Sequence, residues 1–144
     1  MQLTIRPYEV KDAVFLTPLI VDELGHKGST QEQIVMRLRR FHVHPDYHTL
    51  VATNGREVVG FIGLHKGMAY EFDEDYVNVI ALVVKKPYQI QEVGSQLLDS
   101  VELYAKKRGI KKIIMNSDLP KEDTYCFYEE KGYLKKGYLL EKNL

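Results

Sequence analysis

The chain carries one cysteine, no net charge and no apolar run long enough for a bilayer, and each shortage removes a class of protein. Cys126 alone cannot form a disulfide within the chain, so the fold has to be held by its core. Twenty Lys and Arg balance twenty Asp and Glu. That balance gives no electrostatic reason to expect nucleic acid or an anionic membrane as the main partner. A spanning helix needs about 20 apolar residues, and no stretch approaches this. Met1-Gln-Leu-Thr-Ile5 lacks the basic start and apolar stretch of a signal peptide. A soluble, cytoplasmic protein is the expectation. Repeats, low-complexity tracts and linkers are missing too.

What is present suits one α/β domain over residues 1–144. A 44% hydrophobic and 28% charged composition is that of an ordinary globule, so a single core can be built. Leu3 to Pro7 alternates as a short strand. Asp12 stands where it can cap a helix with Val14, Phe15, Leu19, Ile20 and Leu24 on its inner side, and Pro18 predicts a kink or two shorter helices. Thr30-Gln-Glu-Gln33 reads as a capping box opening a second helix, with Ile34, Leu38 and Phe41 inward. Thr49 to Thr53 and Val58 to Leu64 flank Asn54-Gly55, a strong hairpin signal. Further strands are expected at Tyr76 to Val84, Lys111 to Asn116 and Tyr133 to Glu141, and a helix at Lys121 to Lys131, ended by Gly132.

The most informative stretch runs from residue 79 to 105. An unbroken apolar run, 79 to 84, stops at Lys85-Lys86-Pro87. A polar loop follows, then Val93, Leu97, Leu98, Val101 and Ala105 recur at helical spacing, and the helix closes with Lys106, Lys107 and Arg108. This is a buried strand passing through a tight loop into a helix. The N–H groups at a helix start have no partner within the helix and sit at its positive end, so a phosphate suits them.

Here the chain resembles the GNAT superfamily of acyl-CoA-dependent N-acetyltransferases. Their signature, Gln/Arg-x-x-Gly-x-Gly/Ala between the fourth strand and the next helix, is matched by Gln89-x-x-Glu92-x-Gly94. A second block, Phe127-Tyr-Glu-Glu-Lys-Gly-Tyr133, stands near the C-terminus before Tyr138-Leu-Leu140. Ile5-Arg-Pro7 and Val58-Val-Gly-Phe61 occupy the places of the first and third strands. Glu92 replaces the loop glycine, and Lys121 and Thr124 replace the usual Asn and Ala before the Phe-Tyr pair.

The resemblance implies a GNAT-like α/β (α+β) fold: a mixed, mostly antiparallel sheet flanked by helices, with a splayed central strand pair. It implies acetyl-CoA as co-substrate and no metal. It places cofactor contacts at Leu82, Val83 and Val84 along the pantetheine arm, and at Gln89, Ile90, Gln91, Glu92, Val93, Gly94 and Ser95 around the pyrophosphate, with Lys85 and Lys86 nearby. It gives Tyr128 the role of acid toward the leaving thiolate, which must be protonated when an amine displaces it. The alternative for Tyr128 is a core aromatic, one of ten tyrosines.

No general base is evident. The family's strand-four Glu falls near Ile80 and Ala81, which are apolar. Asn78 could orient a water, and His65, an acid among Glu71 to Asp75, or water itself are the remaining candidates. His42, His44 and His48 with Asp46 lie on an irregular segment around Pro45, read as a polar loop rather than a metal site. Glu71 to Asp75 reads as a solvated loop, or else as a lure for a cationic amine. Cys126 reads as structural rather than nucleophilic. The function expected is acetyl transfer from acetyl-CoA to a small-molecule or peptide amine in a ternary complex, by a possible homodimer. The alternative is a degenerate domain that binds acyl-CoA or a partner protein without catalysis.

Overall fold

The computed structural model describes residues 2–25, 28–89, 91–116 and 122–144, with the backbone alone for Gln91 and 122–124. Five strands form one sheet in sequence order: β1 Leu3–Pro7, β2 Tyr47–Asn54, β3 Glu57–Gly67, β4 Tyr76–Val84 and β5 Ile113–Met115. The first four pair antiparallel, and β5 joins β4 in parallel. Helices α1 Ala13–Glu23 and α2 Gln31–Val43 precede the long hairpin, α3 Gln91–Lys107 links β4 to β5, and α4 Glu122–Glu130 follows β5. The mixed, mostly antiparallel sheet flanked by helices is the architecture that the sequence implied.

Two cores sandwich the sheet. Val93, Leu97, Leu98 and Val101 of α3 pack on Ala52, Ile62, Leu64, Val77 and Val79, while Leu16 and Leu19 of α1 with Ile34 and Leu38 of α2 pack on Val51, Phe61 and Val83. A strand covered on both faces must be apolar at every position, which explains the unbroken run at the end of β4. The Asn54-Gly55 hairpin forms as read, with Gly55 at φ +60°. The capping box also forms: the Gln33 N–H donates to Thr30 Oγ1 (3.2 Å), and the Thr30 N–H donates to Gln33 Oε1 (2.8 Å).

Three readings need correction. Helix α1 is a single run through Pro18 rather than two shorter helices, and its buried face is Ala13, Leu16, Thr17 and Leu19. Val14, Phe15 and Leu24 are exposed instead. Nearly every α1 position is apolar, so periodicity selects no face; Pro18 forfeits one helical hydrogen bond while its ring faces outward. Asp12 makes no side-chain cap on α1. Its buried carboxylate instead takes both guanidinium nitrogens of Arg6 (2.7 and 2.8 Å) and the Glu9 N–H (2.8 Å), tying β1 to the turn before α1. Finally, residues 133–144 form no strand, and Tyr138, Leu139 and Leu140 are exposed. Sequence alternation alone cannot create a strand without a partner for its backbone.

Candidate active site

The centre of the site is a β-bulge in β4. Gly63 pairs with Ala81 and Leu64 with Val79, leaving Ile80 unopposed. The extra residue reverses the strand's faces: Val77 and Val79 point into the α3 core, whereas Ala81 and Val83 point toward α1 and α2. A bulge bends its strand, and the consequence shows on the opposite edge. Strand β5 pairs with β4 only at Val77, Asn78 and Val79. From Ile80 onward β4 has no strand neighbour on that side among the described residues, so alternate N–H and C=O groups of this stretch face an open edge. This is the splay between central strands. Gly60 permits the close approach of β3 on the other side, where a Cβ would lie 2.7 Å from the Val83 carbonyl oxygen.

Beyond β4 the chain makes a 3-10 turn at Lys86–Tyr88 and enters α3. Gln89 anchors this passage: its amide donates to Glu23 at the end of α1 (2.8 Å) and to the Val84 carbonyl (3.0 Å). Tyr88 donates to Glu57 (2.9 Å), and Lys85 forms an ion pair with the same carboxylate (2.8 Å). Lys85 therefore serves the β2–β3 hairpin rather than the mouth of α3. Ile90 lies outside the described residues.

Glu92 is exposed in the first turn of α3, with Gln96 Nε2 at 3.5 Å from its carboxylate. The Val93 side chain is wholly buried in the core, so backbone alone is left for a ligand there. Gly94 faces α4, where a Cβ would reach the Phe127 ring at 3.4 Å, the limit of ordinary contact, so α4 packs closely on α3 there. The same contact is reinforced by Lys131, which donates to the Ser95 hydroxyl and to Asp99, each at 2.7 Å.

Phe127 and Tyr128 of α4 and Tyr133 beyond it pack as one aromatic group, with ring centroids 5.3 and 6.2 Å apart along the series. Burial, aided by Glu102, pushes the Tyr133 hydroxyl up to about 12. Tyr128 faces a large cavity between β5, α3 and the C-terminal segment, lined also by Met115, Asn116 and Tyr133.

A separate cleft of about 620 Å³ opens beside the bulge, on the α1–α2 side of the sheet. Ile80 and Ala81 form one wall, Phe41, Tyr47 and Phe61 contribute aromatic surface, and Gln33, Arg37 and Arg40 of α2 line its rim. Sequence reasoning missed this lining. The available signal was the spacing of Gln33, Arg37 and Arg40, one row of the helix beside the inward row of Ile34, Leu38 and Phe41.

Comparison with known proteins decides the family. The family model described as "Acetyltransferase (GNAT) family" matches residues 14–133. The chain belongs to the GNAT acetyltransferase family. Over 100 residues it is 30% identical to the aminoalkylphosphonate N-acetyltransferase of Salmonella typhimurium, a match covering 69% of this chain and 65% of that protein. Among solved structures, a transcriptional regulator from Bacillus halodurans C-125 superposes with a TM-score of 0.90 at 22% identity, covering 99% of this chain and 100% of that one. A GNAT family acetyltransferase from Staphylococcus aureus gives 0.82 at 24% identity with all of both chains covered. These two likenesses establish the fold.

The remaining polar candidates of this GNAT chain are dispersed. His42 packs edge-on against Tyr8 and His44 against Tyr47, while His48, which also lines the cleft, meets the Tyr104 ring at a tilt. Burial, with Arg108 second, lowers the His48 pKa. His65 packs on Tyr47, 4.6 Å between ring centroids. Asn78, on the last pairs before the bulge, has a buried Oδ1 without a hydrogen-bond partner among the described residues. Such an acceptor costs about 1–3 kcal/mol until a water or ligand donates to it. Glu71 lines the larger cavity, and Glu74 lies 3.8 Å from Lys111. Cys126 is exposed. Among the described residues no helix is long and apolar enough to cross a membrane.

Proposed function

We propose that this GNAT protein transfers the acetyl group of acetyl-CoA to a primary amine by direct attack in a ternary complex. The observation that carries the reading is the bulge at Ile80, where β4 loses β5 and opens both an edge and a cleft. An extended thioester arm suits the open edge of β4 along Leu82, Val83 and Val84, where alternate N–H and C=O groups face outward and Gln89 already donates to the Val84 carbonyl, because strand edges bind extended chains through such groups. A pyrophosphate suits the start of α3, from Gln91 to Ser95, where helix N–H groups await acceptors.

The acceptor amine enters from the cleft and attacks the thioester carbonyl; the C–N bond forms, the C–S bond breaks, and the Tyr128 hydroxyl supplies the thiolate's proton. The amine's proton passes to water; no carboxylate lines the cleft among the described residues, and the histidine of its lining, His48, packs on Tyr104. The relative's name, aminoalkylphosphonate N-acetyltransferase, favours a small-molecule amine over a peptide. A cytoplasmic homodimer completes the proposal.

Calorimetry and thermal shift with millimolar acetyl-CoA test the binding half. Heat of binding and a raised melting temperature are expected; neither signal at that concentration would overturn the reading.

A further inference from the structure

We infer that the acceptor is a small primary amine carrying an oxyanion, a phosphonate or phosphate above a carboxylate, held by Arg37 and Arg40. This rests on the acetyltransferase reading and names its substrate class.

The cleft beside the bulge is mostly apolar, floored by Ile34, Leu38, Phe61 and Leu64 and walled by Ile80, which is 44% exposed there. Against this surface stand two guanidinium groups and no acid: none of its described lining residues is Asp or Glu. Several other cations near the sheet are paired with acids. Arg6 is paired with Asp12, Lys66 with Asp46, Lys85 with Glu57 and Lys131 with Asp99. Arg37 and Arg40 make no ion pair among the described residues, although α2 also carries Glu32. Two unpaired cations on an apolar cleft repel each other and attract anions, and a bound dianion would relieve both effects.

Helix geometry brings the two groups to one ligand. Residues three apart lie on the same face with Cβ atoms about 5–6 Å apart, and Gln33, one turn before Arg37, adds an amide donor. The guanidinium fork matches oxyanion geometry through paired N–H donors, and phosphonates offer three oxygens to share between two forks. Ile80 and Ala81 line the same cleft. A short molecule with its anion on α2 therefore presents its other end toward the bulge, where the proposed reaction needs the amine. A cationic acceptor without an anion would meet two like charges at the rim. A volume of about 620 Å³ also suits a small molecule rather than a folded protein segment.

The test measures acetyl transfer from acetyl-CoA to 2-aminoethylphosphonate, β-alanine and propylamine, in the parent and in Arg37→Gln and Arg40→Gln. The parent is expected to prefer the phosphonate over propylamine by about 10-fold or more in kcat/KM, mainly through KM. Each substitution should cut that preference about 10-fold, the scale of a lost charge-assisted contact, and Arg→Lys should restore part of it. A preference for β-alanine would overturn the ranking of phosphonate above carboxylate.

Equal use of propylamine, or variants that weaken acetyl-CoA binding instead of the acceptor KM, would overturn the inference. If no amine is acetylated and acetyl-CoA does not bind, the acetyltransferase reading has failed, and the cleft is then tested alone with ethylphosphonate by calorimetry. Heat in the parent that disappears in the double variant supports the oxyanion site. No heat in the parent rejects it.

Discussion

Asp12 and Tyr128 show how differently two polar side chains are used in this chain. The Arg6 hydrogen bonds hold the Asp12 carboxyl below its usual value despite burial, and its side chain is 2% exposed. The folded state therefore binds the proton less readily than the unfolded one. The resulting stability is present above about pH 4 and is lost as pH falls through the folded pKa. Removing Arg6 strands a buried charge, so Arg6→Ala should cost about 3 kcal/mol at pH 7, and Asp12→Asn should flatten the acid limb of the stability curve. Urea unfolding between pH 3 and 7 measures both; a parent curve flat below pH 4 would contradict the account.

Tyr128 acts, on our proposal, only when the thiolate departs. Tyr128→Phe should lower turnover about 100-fold and leave acetyl-CoA affinity unchanged. Steady-state rates beside a binding titration separate the two, and a parent-like rate would remove Tyr128 from the mechanism. Motif spacing singled out residues 89, 94, 127 and 128, and the fold sets them at the loop before α3, on α3 and on α4. Arg37 and Arg40 were not legible, because two arginines on a helix look alike whether they face a cleft or bulk water.

At the scale of elements, the start of α3 carries two opposed demands. A glutamate in the first turn favours the helix dipole by about 0.3–1 kcal/mol. Beside a pyrophosphate the same charge costs about 0.7–3 kcal/mol per like pair at ~6 Å and a dielectric of ~20 to 80. Lys85 does not offset it, being held by Glu57. Glu92→Gly should therefore tighten acetyl-CoA binding several-fold at low salt while lowering helix stability, and Glu92→Gln should give part of the gain. Unchanged affinity in both variants would mean that the carboxylate, near Gln96 in the structure, stays clear of the phosphates.

Strand, hairpin and capping signals were readable because each rests on local chemistry: β4, the Asn54-Gly55 turn and the Thr30 box all form. The bulge at Ile80 was not, since it exists only in the pairing of β4 with β3. The α1 face and the 133–144 segment were misread for the same reason, because tertiary partners decide them.

At the scale of the whole molecule, the C-terminal segment leaves Tyr138, Leu139 and Leu140 at 97%, 64% and 90% exposure. Contiguous exposed apolar residues favour association, and we predict a homodimer through this segment. Light scattering at micromolar concentrations should return twice the 16.7 kDa chain mass, and a monomer throughout would end the idea. The fold class was legible because the order of elements follows from local signals along the whole chain. The proposed acceptor cleft was illegible because it is assembled from α1, α2 and three strands far apart in sequence.

The central claim is acetyl transfer to a primary amine. Incubating the protein with acetyl-CoA and a mixed panel of small amines and peptides, followed by mass spectrometry, tests it directly. We predict a protein-dependent product 42 Da heavier than one of the amines, the mass of an added acetyl less a hydrogen (~42 Da), with free coenzyme A released in equal amount. Acetyl-CoA bound but no amine modified, across a panel that includes amines bearing oxyanions, would contradict it.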